Sequence, residues 1–253
     1  MRPSLVRLRP IINRGVERCF HTYRYPLCEV LPSLDELARH LHMEGDVEHP
    51  AYHYMQQRLA ELAASTLETI GGYVLGRVER MDTAAGIVTV EGYDFRVGVQ
   101  VCGYLKEAEE AALFLCTAGA LFSDEAHALN EQGEFLEAYI IDTIGSMTVE
   151  HAMDRIHRAL AEEQAGRGLK ITNRYSPGYC NWPLVDQRAL FAFVGENPTG
   201  IVLSDSCLMH PIKSVSGIIG IGTKARRRAY GCVICQNKTC IYRKIVAREQ
   251  GEM

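Results

Sequence analysis

The run Arg174-Tyr175-Ser176-Pro177-Gly178-Tyr179 sets a guanidinium three residues ahead of a Pro-Gly bend that Tyr179 closes with an aromatic ring. A guanidinium forms paired, charge-assisted hydrogen bonds with a carboxylate, so Arg174 is suited to the acid group of a ligand. Pro177 fixes one backbone torsion and Gly178 carries no side-chain obstacle, so peptide groups at their junction can approach a bound molecule closely. A second segment, Ser204 to Gly217, supplies hydroxyls and amides from a polar loop that feeds a run of small residues. Ser214, Ser216 and Gly217 leave room for a ligand along that run. Glu150 and Asp154 lie one turn apart on a predicted helix and so present carboxylates on one side.

A third group is Cys232, Cys235 and Cys240, three thiols at C-x2-C-x4-C spacing. Such soft donors suit zinc or an iron–sulfur cluster, and three of them leave either centre one protein ligand short. Cys180, Cys207, His210 or an external ligand could complete the set. Reduced thiols, or a pair forming a reversible disulfide, are the other reading.

The Arg-x-x-Pro-Gly-Tyr bend, followed by a hydroxyl-acid-Ser and Met-x-Pro-x-x-Ser-Val-Ser-Gly run (Met209 to Gly217), resembles the S-adenosylmethionine-binding activation domain of cobalamin-dependent methionine synthase, especially free-standing proteins related to it. The resemblance covers about residues 145 to 222 and extends back to about Leu31. It implies that Arg174 holds the carboxylate of S-adenosylmethionine, that Pro177, Gly178 and Tyr179 lie where the ligand approaches a corrin, and that Glu150 and Asp154 match acidic positions on the corresponding helix; Ser176, within the same bend, is a further cofactor-binding candidate. Ile219 stands where the related domains carry an aromatic residue two positions after the glycine, so the resemblance does not carry an aromatic hydroxyl contact over to this position, while a backbone contact there stays open.

The elements that must position these residues follow from periodicity. Ser33 and Glu36 have capping-box spacing ahead of a short helix. A second helix is predicted over Ala51 to Ile70, ended by Gly71-Gly72. From Tyr73 to Tyr104 short alternating runs broken by glycine predict strands, among them 86–92 and 95–99. Ala111 to Thr117 is apolar throughout and reads equally as a buried strand or a helix end. A long helix spans Gly133 to about Gln164, with Gly145 permitting close approach of another element. Leu169 to Asn173, Ile201 to Leu203 and Ser214 to Ile221 read as strands, and Leu184 to Val194 as a helix. Together they predict an α+β fold, activation-domain-like, with a twisted, mainly antiparallel sheet flanked by helices. The organisation expected is an N-terminal extension over 1–30, the α+β unit over 31–225 and a cysteine-rich tail over 226–253.

With 47% hydrophobic and 23% charged residues the chain reads as globular, and its net charge of −4 gives no general attraction to nucleic acid. No apolar stretch approaches the ~20 residues needed to cross a bilayer. Met1 to Arg18 is basic and lacks the apolar core of a secretory signal, so a cytoplasmic location is expected. The nine cysteines are an odd number, which does not suit a closed disulfide framework. Gly217 to Gly222 has its glycines in the wrong order for a dinucleotide loop.

The resemblance implies a function: reductive methylation and reactivation of the cobalamin carried by a separate corrinoid protein or methyltransferase, with S-adenosylmethionine as methyl donor and an electron donor such as flavodoxin or ferredoxin. A different class of reading is a non-catalytic accessory protein that binds a corrinoid or S-adenosylmethionine and has a metal- or redox-responsive tail.

Overall fold

The computed structural model of the chain describes residues 6–7, 11–13 and 16–228. In chain order the elements are β1 (Val6–Arg7), β2 (Ile11–Asn13), β3 (Val16–Arg18), β4 (Phe20–Pro26), α1 (Leu34–His40), α2 (Pro50–Ala64), β5 (Glu68–Asp82), β6 (Ile87–Val90), β7 (Tyr93–Phe95), α3 (Gly98–Leu105), β8 (Glu110–Thr117), α4 (Leu121–Gln132), α5 (Phe135–Ala165), β9 (Lys170–Tyr175), α6 (Gln187–Val194), β10 (Val202–Leu203), β11 (Met209–His210) and β12 (Ser214–Gly222). Among the described residues the main sheet has eight strands, ordered β1-β4-β5-β8-β12-β9, with β6 and β7 branching from the far half of β5. Each neighbouring pair along it is antiparallel. This is the α+β architecture with a mainly antiparallel sheet and flanking helices that the sequence predicts.

Both faces of the sheet are covered. Ala112, Phe114 and Cys116 of β8 turn to one side, where Ile140, Ile144 and Ile156 of α5 pack with α1 and α2. Ala111, Leu113 and Leu115 turn to the other, against α3, α6 and Trp182. A strand buried on both faces reads as an unbroken apolar run, which is why periodicity left 111–117 open. Here it is a central strand.

Three boundaries differ from expectation. The second helix stops at Ala64, and Leu67, counted on its apolar side, is exposed. Gly71 and Gly72 lie inside β5, where neighbours come too near for a side chain: a Cβ would sit 2.7 Å from Cys116 Sγ at Gly71 and 1.9 Å from the His21 carbonyl oxygen at Gly72. The run 95–99 does not continue as a strand, because Gly98 opens α3. Phe20–Pro26, within the stretch set apart as an extension, is a strand between β1 and β5, with Tyr23 and Tyr25 buried. Its alternation is short and lies beside a basic, proline-containing segment, which hides it in the sequence.

The long helix appears at Phe135–Ala165, after Gly133 ends α4 in a left-handed conformation at φ +83. Gly145 is the point of close approach, since a Cβ there would lie 2.6 Å from Phe122 Cβ. The helix is tied to β9 by His157, whose Nε2 lies 2.9 Å from the Thr172 carbonyl oxygen. A carbonyl only accepts, so Nε2 carries the proton. Burial is the main cause that pushes the imidazole down to about 4, with the Thr172 hydrogen bond opposing.

The sign of the pH effect follows. A histidine depressed in the folded state stabilises the fold fully above its ordinary pKa of 6.5, and that contribution is lost as pH falls through about 4. His157→Gln keeps a donor but cannot titrate. Urea unfolding at pH 7.5 and 4.5 should show the wild-type protein losing stability by a margin on the order of 2 kcal/mol greater than the variant loses.

Candidate functional site

The candidate residues gather at the sheet end where β8 and β9 finish and β12 begins. Antiparallel pairing sets Arg174 opposite Ile219, and Ile219 lies in the core layer facing α5. Register partners share a face, so Arg174 also points toward α5. Its Nη2 lies 3.1 Å from Glu150 Oε2 and 2.9 Å from Asp154 Oδ1. The Arg174 side chain is only 12% exposed. Its Nη1 is buried and makes no hydrogen bond among the described residues. A buried donor left without an acceptor is costly and is normally matched by a ligand, ion or water.

Burial is the first cause that raises the Glu150 pKa; Arg174 opposes it and the Asp154 carboxylate adds to it. The carboxyl keeps solvent access over about half its surface. A solute can therefore reach it.

One turn before this pair stands a second one. Lys213, just ahead of β12, is buried, with Nζ 2.6 Å from Asp142 Oδ1 and 2.9 Å from Ser146 Oγ. Its carbonyl accepts from the Ala118 amide at 2.9 Å and from Thr117 Oγ1 at 3.2 Å, which fastens the start of β12 to the end of β8. Asp142, Ser146, Glu150 and Asp154 recur every four residues and form one polar stripe on α5. A cation from β9 and one from the segment just ahead of β12 lie along it. Sequence reasoning found the lower half of the stripe and missed Lys213 and Asp142; the signal was the same spacing continued two turns toward the helix start.

The bend after β9 is held from below. Pro177 is buried and Gly178 adopts φ +93. The Gly178 amide donates to the Trp182 carbonyl at 2.8 Å, and the Trp182 amide donates to the Tyr179 carbonyl at 2.9 Å. Trp182, the chain's one tryptophan, is buried, and its Nε1 donates to Asp186 Oδ2 at 3.0 Å. Asp186 Oδ2 also accepts the Arg96 amide at 2.6 Å. This anchor was not singled out from sequence. Tyr179 projects from the bend 72% exposed. A Cβ on Gly178 would lie 3.6 Å from Leu184. Leu184 and Val185 are exposed beside the bend, and Val202, Leu208 and Ile212 are exposed on the β10–β11 hairpin. Arg188 of α6 joins the two groups through Asp205 O at 2.6 Å and Cys207 Sγ at 3.2 Å. The result is an apolar rim around an open end.

The hydroxyls of the 204–217 run are engaged within the protein. Ser216 is buried and donates to Gln187 Oε1 at 2.9 Å. Strand alternation puts it on the face opposite Arg174. Ser214 Oγ lies 2.6 Å from the Pro211 carbonyl oxygen and 2.8 Å from Thr117 Oγ1. Gly217 has a packing reason to be glycine, since a Cβ would meet the Tyr175 carbonyl oxygen at 2.0 Å and the Phe114 ring at 2.8 Å. The structure thus brings Arg174, Glu150 and Asp154 together, sets Ser176 to Tyr179 at the same sheet end, and turns Ser216 away.

Cys232, Cys235 and Cys240 lie outside the described residues. Among the described residues no group of three or more His, Cys, Asp or Glu side chains is placed to hold a metal ion. Nor is any helix among them long and apolar enough to cross a membrane.

Comparison with known proteins places this geometry. A crystal structure of the MetH reactivation domain bound to AdoHcy matches with a TM-score of 0.54 at 15% identity, covering 81% of this chain and 79% of that one. No curated protein matches the chain. The family model for the activation domain of vitamin B12 dependent methionine synthase matches residues 103–242. That span is more than half of the 253 residues and contains Glu150, Asp154, Arg174, the Pro-Gly bend and all of β12. The chain belongs to the vitamin B12 dependent methionine synthase activation-domain family.

Proposed function

We propose that the chain binds S-adenosylmethionine at the Arg174 cluster and supports reductive methylation of the cobalamin of a separate corrinoid protein. The observation that carries this reading is the buried, unmatched Nη1 of Arg174 beside two carboxylates. An α-amino-acid head group carries one carboxylate and one ammonium at neutral pH. Arg174 suits the first and Glu150 with Asp154 the second, so the head can enter the ion cluster by exchange without introducing net charge. The AdoHcy in the similar crystal structure has such a head and supports the ligand class.

The Pro177-Gly178 junction offers backbone at the sheet end, and Tyr179 with its apolar neighbours forms the surface on which a corrinoid protein would be received. The cobalamin presented by that partner supplies the methyl-accepting metal, and a flavodoxin- or ferredoxin-like protein supplies the electron. The chain's own residues orient and exclude water; no side chain need act as a covalent nucleophile. Ile219, fully buried under α5, favours the second reading at one point: it offers no hydroxyl to the ligand. An accessory protein that binds without supporting turnover remains the alternative.

Calorimetry with S-adenosylmethionine and its demethylated product tests the site. Arg174→Ala should weaken both by roughly 10- to 100-fold, the worth of a charge-assisted hydrogen bond of about 1.5–3 kcal/mol. If the wild-type protein gives no heat with either compound, the reading fails.

The raised Glu150 pKa gives affinity a pH dependence. A protonated Glu150 cannot hold an ammonium, so affinity should fall as the solution is acidified through that raised pKa. Glu150→Gln should flatten this limb while binding more weakly at neutral pH. Identical pH profiles for the two proteins would remove Glu150 from the ammonium site.

Reconstitution separates turnover from binding alone. Supplied with a Co(II) corrinoid protein, a reductant and S-adenosylmethionine, the wild-type protein should produce the absorption of methylcobalt. Ligand binding without that signal would select the accessory reading.

A further inference from the structure

We propose, resting on the reading of Arg174 as holder of the amino-acid head, that the upper half of the α5 stripe is an adenosine subsite: Asp142 takes the ribose hydroxyls of the ligand and the exposed ring of Tyr139 takes its base. Arg174 meets Glu150 and Asp154, so the head enters at that level of the helix. Asp142 stands eight residues nearer the helix start than Glu150, about 12 Å along the axis.

That separation suits the ligand. Eight covalent bonds lead from its ammonium nitrogen to a ribose hydroxyl oxygen, which at the ~1.2 Å advance per bond of an extended chain is roughly 10 Å. A hydrogen bond of about 2.8 Å at each end brings the greatest span to ~15 Å, so one molecule joins the two carboxylates with its linker slightly bent. The direction also agrees. Because β12 runs antiparallel to β9, going from Ile219 back to Lys213 is going the same way as from Arg174 to the Pro-Gly bend. The sulfonium, between the two carboxylates, would then pass beside that bend.

Asp142 is set up for a neutral diol. Lys213 Nζ holds its Oδ1 at 2.6 Å and Ser146 Oγ at 2.9 Å, and Ser146 Oγ donates to the Asp142 carbonyl at 3.0 Å. The carboxylate is thus oriented and its charge balanced by a buried cation, while about half of its side-chain surface stays in water. A carboxylate has more acceptor sites than one ammonium uses, and hydroxyls donate to it without adding charge. Acidic side chains hold ribose hydroxyls in this way in dinucleotide sites. Just beyond it toward the helix start stand Tyr139 and Phe135, 58% and 69% exposed. Their spacing of four continues the side of the helix that carries Asp142, Ser146 and Glu150. Packing gives no reason for two aromatic rings in water here, and an aromatic face stacks on a nucleobase.

The test is calorimetry on the full chain with two compounds, S-adenosylhomocysteine and its analogue lacking both ribose hydroxyls. Wild-type protein should bind the analogue about tenfold more weakly or worse. Asp142→Asn should weaken the parent compound by a similar factor and leave the analogue nearly unchanged, so that the two bind alike. Should that variant fail to fold because it strands the buried Lys213, the double variant Asp142→Asn, Lys213→Met removes the pair together and is expected to show the same loss of preference. Tyr139→Ala, at an exposed position, should weaken both compounds by roughly tenfold, and Tyr139→Phe should restore them. Equal binding of the two compounds by the wild-type protein, a preference that survives loss of the Asp142 carboxylate, or a Tyr139→Ala protein of full affinity overturns the subsite and leaves the head-group reading standing. No heat from the wild-type protein with the parent compound ends both.

Discussion

The sheet end depends on two cations laid along one helix. Arg174 and Lys213 come from strand segments far apart in sequence, and α5 meets each with carboxylates on a single stripe. The arrangement is asymmetric: the cations are largely buried, whereas Asp142, Glu150 and Asp154 keep about half of their side-chain surface in water. Removing a carboxylate therefore strands a charge that has lost its solvent, and removing a cation merely frees an acid that water can take. Breaking a buried pair from the costly side is worth roughly 3–5 kcal/mol. The stripe fixes the height of β9 and the start of β12 against α5, and with it the position of the bend.

Sheet order explains why this end collects the chemistry. Antiparallel pairing of β8, β12 and β9 returns the end of β8, the start of β12 and the end of β9 to one edge, though they are far apart along the chain. Glycines permit the contact. At Gly217 the Tyr175 carbonyl occupies the space a side chain would need, and at Gly145 the Phe122 side chain does. Gly217, which looks like room for a ligand, is here room for the protein itself, and Gly145 is the close approach its sequence context predicts.

That distinction marks how far the sequence could be read. Arg174 and the Pro-Gly bend were legible because charge, fixed torsion and missing side chain each speak locally. The long helix was legible because its apolar period runs for many turns, and Glu150 with Asp154 came with it. Lys213 was not, since a lysine in a polar loop reads as solvated until the partner helix is known. The side to which Ser216 turns was not legible for a related reason: its face relative to Arg174 depends on the Ile219–Arg174 register, and the same pairing has an irregularity between Ile219 and Ile221. Gly71-Gly72 looked like a helix stop because the reason for both glycines, Cys116 and Ile156 for one and the His21 carbonyl for the other, lies on other elements.

The existing ion pairs also shape what binding can yield under the proposed reading. A zwitterionic head does not find an empty guanidinium; it replaces contacts between Arg174 and its acids with contacts of its own. Most of the charge-to-charge energy is thereby exchanged and little is added, because both states pair every charge. The gain comes from Nη1, which passes from unmatched to matched. A site built this way discriminates sharply against a ligand lacking either the carboxylate or the ammonium, since half an exchange leaves a buried charge alone. Affinity beyond that must come from the rest of the molecule against the bend, where Tyr179 and its apolar neighbours are exposed.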